Sequence, residues 1–318
     1  MNATVLGCGR WGSFIAWYLN KIGFSVTLWG RPGSARLEEF RQTRENGLLS
    51  FPSSLVLSDD LAQAVSRAEL LFISISAQSL RQLMADVASL PLKKGQPVIL
   101  CMKGIEETTG LRLTQIVSEF TSAPAAVWVG PGHVQDFLQG IPNCMIIDSQ
   151  SDALKRRLVP LLSSELIRFY YGTDLIGSEV GAAAKNVIGI AAGMLDGLNQ
   201  SSLKGALMSR GTREIARLID AMGGNGISAY GLCHLGDYQA TLFSQHSHNR
   251  RFGELFIRKE PYGELAEGAS TVRALCLLGK RLQVDLPICR AVDQVIHQGE
   301  DPKEVLSGLF LRSLKDEF

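Results

Sequence analysis

Gly7-Cys8-Gly9-Arg10-Trp11-Gly12 limits the architectures open to this chain more than any other stretch. It directly follows a strand-like run at residues 4–6 and opens a helical stretch at residues 11–21, and a second strand-like run, Ser25–Trp29, comes next. A G-x-G-x-x-G pattern is weak by itself, but between a strand and a helix it forms the turn that receives a dinucleotide pyrophosphate. Gly7 permits the tight turn, Gly9 lets phosphate approach the backbone, and Gly12 lets helix and strand pack closely. The helix start adds free N–H groups and the positive end of a dipole.

The alternation continues. Apolar runs at residues 70–75, 97–101 and 125–129 are separated by amphipathic stretches, and residues 144–148 and 167–171 extend the series. Continuous apolar strands between helices indicate a parallel sheet covered on both faces. After about residue 174 the strand-like runs stop. Ile215, Leu218, Ile219 and Met222 make one apolar helical stripe, and Gly223-Gly224 ends it. The expected fold is therefore α/β: a Rossmann-type, doubly wound sheet in a dinucleotide-binding domain (1–175), then an all-α substrate-binding and catalytic domain (176–318).

Composition removes several classes of function. Lys plus Arg is 32 and Asp plus Glu 31, a balance unlike the large basic excess of a nucleic-acid binder. The apolar stretch at residues 180–198 contains Lys185, Asn186 and Asp196. Charge at mid-bilayer is costly, so a buried helix is expected there and not a membrane span. The N-terminus has no basic stretch before an apolar one and does not read as a secretory signal. Six scattered cysteines without a C-x-x-C pair suggest reduced thiols in the cytoplasm. A homodimer is considered, with oligomeric state left open.

The residues past the strand ends carry the chemistry. After Trp29 come Gly30, Arg31 and Arg36, with no carboxylate before Glu38. An NAD-selective site places an acid there; Arg31 suits a 2′-phosphate, so NADP or NAD is expected with a lean to NADP. Lys185 sits among small apolar residues, where burial lowers an ammonium pKa and makes it a proton donor near neutral pH. Lys103 and the turn Gly130-Pro131-Gly132-His133 follow strands and should face the crevice where open α/β sheets bind ligands. The polar stretch from Ser244 to Gly253, with Arg250 and Arg251, suits a phosphate. The neighbours of His234, His246 and His248 offer no thiolate pair, and no metal site is expected.

These blocks together resemble the bacterial NAD(P)-dependent sn-glycerol-3-phosphate dehydrogenases. The resemblance rests on residues 7–12, Lys103-Gly104-Ile105-Glu106, Gly130-Pro131, residues 181–188, Asp196-Gly197-Leu198, Arg210-Gly211, Gly236-Asp237 to Thr241, residues 249–253 and Glu267-Gly268, in family order. It implies interconversion of dihydroxyacetone phosphate and sn-glycerol 3-phosphate for glycerophospholipid synthesis. Lys185 would be the general acid and base, Lys103 would touch substrate and cofactor, and Asp237, Thr241 and Asn186 would shape the catalytic pocket. Gly130 and Gly132 would line the substrate. Ser247, His248 and Asn249 would hold its phosphate. Arg10, Trp11, Arg31, Val134 and His248 would touch the cofactor, with Leu265 and Glu267 closing over it. The family usually has arginine where this chain has His248, a weaker cation, and serine where it has Gly132. A weaker phosphate grip is expected, with Arg250 or Arg251 compensating. Two other readings fit the same plan: a reductase of another small 2-keto or 2-hydroxy acid, and a dinucleotide sensor without turnover.

Overall fold

The structure is a computed structural model that describes residues 1–310, apart from Leu92 and Lys94. The last stretch of the expected second domain, 311–318, lies outside the described residues.

Eight strands form one sheet: β1 (Asn2–Leu6), β2 (Ser25–Trp29), β3 (Val56–Ser58), β4 (Leu70–Ile73), β5 (Val98–Leu100), β6 (Ala125–Val129), β7 (Asn143–Ser149) and β8 (Ile167–Tyr171). Their spatial order is β3-β2-β1-β4-β5-β6-β7-β8. The chain moves outward from β1 in one direction, then restarts at β4 in the other. The reversal between β1 and β4 is the topological switch point where such sheets bind ligands. Helices α1 (Arg10–Lys21), α2 (Ala35–Thr43), α3 (Leu61–Arg67), α4 (Leu80–Ala88), α5 (Leu113–Phe120), α6 (Val134–Leu138) and α7 (Asp152–Leu162) connect the strands. Two apolar clusters cover the sheet, one around Phe14, Tyr18 and Trp128 and the other around Ile73, Leu80 and Val117.

Two features differ from the expected parallel sheet. β7 pairs antiparallel to β6. The link between them contains only the five-residue α6, which rises roughly 7.5 Å. The whole link, residues 130–142, is at the lower limit for a parallel crossover, which takes a dozen or more residues and usually a full helix, and the chain reverses instead. The edge strand β3 also has no sequence signal. It is three residues long with an exposed Val56, below the length at which alternation is readable.

The second half is helical: α8 (Leu175–Gly197), α9 (Lys204–Ala221), α10 (His248–Arg258), α11 (Glu267–Leu282), α12 (Pro287–His297) and α13 (Pro302–Phe310). α8 is long and apolar enough to cross a membrane, but 89% of its most apolar window is buried inside the protein. Its small residues serve backbone contact with α10. A Cβ at Gly193 would lie 1.8 Å from the Arg250 carbonyl oxygen, and one at Gly253 would lie 2.2 Å from that of Ile190. α9 ends at Ala221, and Gly223 takes the left-handed conformation, φ +83°, as a C-terminal glycine does. Glu179 of α8 joins the halves. Buried, it accepts from the Thr114 backbone N–H at 2.8 Å and hydroxyl at 2.7 Å and pairs with Arg112.

Candidate active site

The glycine turn is built as its sequence requires. Gly7 has φ +117°, and a Cβ there would stand 2.1 Å from the Ser74 carbonyl oxygen after β4. A Cβ at Gly12 would stand 1.9 Å from the Gly7 oxygen. Gly9 differs: its Cβ would meet only the Arg36 guanidinium, 3.6 Å away. Open space above Gly9 and an α1 start with no acidic residue in its first turn suit a pyrophosphate. Arg10 points Nη2 to a buried place where it has no hydrogen-bond acceptor among the described residues, so the residues present fit an anionic dinucleotide. Trp11 turns its ring inward, stacking on Phe14 at 5.1 Å and meeting Trp128 edge-on at 6.5 Å. Val134 is buried as well. Arg31 is exposed past the end of β2. Leu265 is 57% exposed. Glu267, at the start of α11, accepts from the Ala77 backbone N–H at 3.1 Å, and burial raises its carboxyl pKa.

The expected catalytic residues converge. Lys103, past the end of β5, donates to the Gly130 carbonyl at 2.7 Å and to Asp237 Oδ2 at 2.6 Å. Lys185 of α8 reaches the same Oδ2 at 2.8 Å and donates to Thr241 Oγ1 at 2.8 Å. Thr241 Oγ1–H in turn donates to the Asp237 carbonyl at 2.8 Å. Asn186 Nδ2 donates to the Lys103 carbonyl at 3.3 Å. Asp237 is 1% exposed and Lys185 8%. Two ammonium groups thus share one carboxylate oxygen away from solvent. Burial pushes the Lys185 ammonium down to about 8, and Lys103 adds to the fall while Asp237 opposes it. Thr241 approaches α8 closely because Gly189 has no side chain; a Cβ there would lie 2.7 Å from the Thr241 methyl. Thr241 stands in a single π-helical turn, Gln239–Phe243, a feature that recurs at functional sites.

Sequence reasoning missed His234. Its Nδ1–H donates to the Gly181 carbonyl of α8 at 2.8 Å, and its Nε2 accepts from the Tyr238 hydroxyl at 2.6 Å. Burial holds its pKa down at about 4, so it ties the Asp237 segment to α8 as a neutral group. The residue type alone suggested only a metal ligand.

The phosphate loop departs from expectation. Arg250 is no spare cation: it pairs with Asp196 at 2.7 Å and Glu254 at 2.9 Å. Asn249 Oδ1 accepts from the Gly268 backbone N–H at 2.9 Å, and the Ser247 hydroxyl caps α10 by accepting from Arg250 N–H at 3.3 Å. His248 Nε2 lies 3.4 Å from Arg10 Nη1, and its Nδ1 lies 2.6 Å from the Tyr262 hydroxyl. A guanidinium only donates, so His248 accepts on Nε2, donates from Nδ1 and is neutral. Burial, with help from Arg10, lowers its pKa. Arg251 remains available, lining with Arg10, Gln245 and His246 a cavity of about 500 Å³.

Gly132 has φ +148°, and a Cβ there would lie 2.3 Å from the Phe137 ring. That ring is held by Phe14 at 5.0 Å. Gly132→Ser should therefore lower stability by about 1–3 kcal/mol without improving substrate affinity, as a urea titration and a KM measurement would register.

Comparison with known proteins agrees with this geometry. A family model described as the N-terminus of NAD-dependent glycerol-3-phosphate dehydrogenase matches residues 2–155, and its C-terminal counterpart matches residues 174–307. A glycerol-3-phosphate dehydrogenase [NAD(P)+] from Janthinobacterium is 36% identical, covering 100% of this chain and 99% of the relative. One from Pelodictyon phaeoclathratiforme is 33% identical over the same shares. The crystal structure of glycerol-3-phosphate dehydrogenase from Coxiella burnetii superposes with a TM-score of 0.92 at 25% identity, over 98% of this chain and 99% of that one. With both halves matched in order and relatives aligned end to end, the chain belongs to the NAD-dependent glycerol-3-phosphate dehydrogenase family.

Proposed function

We propose that this protein interconverts dihydroxyacetone phosphate and sn-glycerol 3-phosphate with NAD(P)H, supplying the glycerol phosphate unit of glycerophospholipids. The observation that carries the proposal is the shared Asp237 oxygen, 2.6 Å from Lys103 and 2.8 Å from Lys185, at the strand-end crevice that also holds the glycine turn. Bound NAD(P)H would supply the hydride. The chain's own residues do the rest. Lys185, with its pKa of about 8, gives a proton to the alkoxide oxygen. Lys103 favours negative charge on that oxygen by electrostatic attraction. Asp237 and Thr241 fix the Lys185 nitrogen, and Asn186 fixes the Lys103 backbone. Proton transfer leaves one ammonium beside one carboxylate, a neutral pair suited to burial.

Gly7, Gly9, Arg10 and Gly12 would hold the cofactor phosphates, with Glu267 and Leu265 over it. The division between the dinucleotide-binding and catalytic parts falls at residue 175, where α8 starts. A cytoplasmic setting belongs to the same proposal, and the six free cysteines suit a reducing compartment.

NADP is the preferred dinucleotide. Arg36 reaches the space over Gly9, Arg31 is exposed past the end of β2, and Glu38 is turned to Arg41 at 3.7 Å. Removing both arginines (Arg31→Ala with Arg36→Ala) should cut the NADPH-over-NADH ratio of kcat/KM by roughly tenfold or more, in line with charge-assisted hydrogen bonds to phosphate. An unchanged ratio would assign the preference elsewhere. The function itself is tested by following NADPH oxidation with dihydroxyacetone phosphate and with an unphosphorylated 2-keto acid. Turnover of the second alone would make the protein a different reductase.

A further inference from the structure

A triose phosphate brings a dianion into the site, and the groups expected to meet it are engaged elsewhere. His248 is neutral between Tyr262 and Arg10, Arg250 is closed by Asp196 and Glu254, and Asn249 Oδ1 serves Gly268. Another group faces the catalytic lysine. His133 follows Gly132 in the turn after β6 and stands directly before α6. Its Nε2 is buried and makes no hydrogen bond among the described residues. Its ring meets that of His246 edge-on, with centroids 5.8 Å apart and planes at 74°. The titratable groups facing it are Lys185 of α8, Asp136 of α6, Asp237 and His246. The same turn is tied to the catalytic pair through Lys103 and the Gly130 carbonyl, 2.7 Å.

From this placement we infer that His133, flanked by His246, is the specificity-determining contact for the substrate phosphate. It donates from Nε2–H to a phosphate oxygen. The inference rests on the reading of the site as a triose phosphate reductase. A buried imidazole nitrogen without a partner is costly, and a phosphate oxygen satisfies it. Burial and the nearby Lys185 lower the His133 pKa, so in the free protein the ring is a neutral donor. The same serine-free turn explains why a neighbour supplies the contact: at position 132 a side chain would strike Phe137. His248 and Arg10 are thereby left to the dinucleotide.

The test compares wild type with His133→Phe, which keeps a ring and removes both nitrogens, and with His133→Gln, which keeps a side-chain N–H donor. In His133→Phe the KM for dihydroxyacetone phosphate should rise roughly tenfold to a hundredfold, the worth of one hydrogen bond to a charged group. Saturated kcat and the KM for NADPH should stay near wild type, and preference over unphosphorylated dihydroxyacetone should fall by the same factor. His133→Gln should recover part of the loss. Titration calorimetry with inorganic phosphate should show the same weakening without turnover. A folded His133→Phe protein with unchanged KM and unchanged phosphate affinity overturns the inference and leaves the proposed reaction standing. A wild type that binds phosphate through His133 yet does not turn over dihydroxyacetone phosphate overturns the reaction and leaves the contact standing. Should His133→Phe not fold, His133→Ala is read in its place, and a phosphate affinity and dihydroxyacetone phosphate KM equal to those of wild type count against the inference.

Discussion

Lys185→Ala should lower turnover of dihydroxyacetone phosphate by about 10²–10⁴-fold, the range for loss of a general acid, while cofactor affinity is unchanged. The two effects separate because of where Lys185 sits. Its nitrogen contacts Asp237 and Thr241, whereas the dinucleotide features, Gly9 and Arg10, lie on the turn after β1. Truncation leaves Asp237 paired with Lys103 at 2.6 Å, so no buried charge is stranded and the fold should hold. The pH dependence gives a second readout. Ketone reduction needs the ammonium, so its rate should fall as pH rises through the Lys185 value of about 8. Alcohol oxidation needs the free amine and should rise through the same range. Both inflections should vanish in Lys185→Ala. Steady-state rates over pH 6 to 10 and a fluorescence titration with NADPH check this; near-normal turnover in the variant would remove Lys185 from the role of acid.

What could be read from the sequence was mostly local. β1, the glycine turn and α1 are contiguous, and their apolar periodicity and glycine spacing carry a physical reason for each residue. Lys185 stood out because an ammonium among alanines and glycines contradicts its surroundings. β2, β6 and β8 had clear apolar runs. The failures were long-range. Whether β7 runs parallel or antiparallel to β6 depends on how far the α6 link reaches, and strand composition is silent on that. Arg250 looked like a spare cation because Asp196 faces it only after α10 crosses α8; Glu254, four residues on in the same helix, was a local signal that went unread. The contacts of His248 with Tyr262 and Arg10 had no sequence signal, because both partners approach from other segments. His133 was legible only as part of a turn facing the crevice and His234 only as a rejected metal ligand, since a lone histidine acquires its role from the groups around it. The site's chemistry was legible as residue types, and the pairing of those residues with one another only as geometry.

Asp237→Asn tests that geometry most severely. Oδ2 is the one anion between two ammonium groups, at 2.6 Å from Lys103 and 2.8 Å from Lys185, and it is 1% exposed. Breaking a buried pair by removing one partner's charge costs roughly 3–5 kcal/mol when the remaining charge cannot relax. Here it can relax. Burial and Lys103 both lower the Lys185 pKa, and Asp237 is the opposing influence. Without that carboxylate the value drops further below about 8, and Lys185 becomes a neutral amine at neutral pH. Reduction at pH 7.5 should then fall by roughly 10²–10³-fold for want of a proton donor, with partial recovery on acidification as the ammonium re-forms. The loss differs from that in Lys185→Ala, which no pH restores. Stability gives an independent sign. Between the lowered folded value and the ordinary lysine value of 10.5, the unfolded chain binds more protons than the folded one, so stability rises with pH. Asp237→Asn widens that window downward, and its urea midpoint should climb with pH from 6 to 9 more steeply than that of wild type. A variant whose rate is flat with pH and whose midpoint tracks wild type would mean that the carboxylate does not set the charge on Lys185.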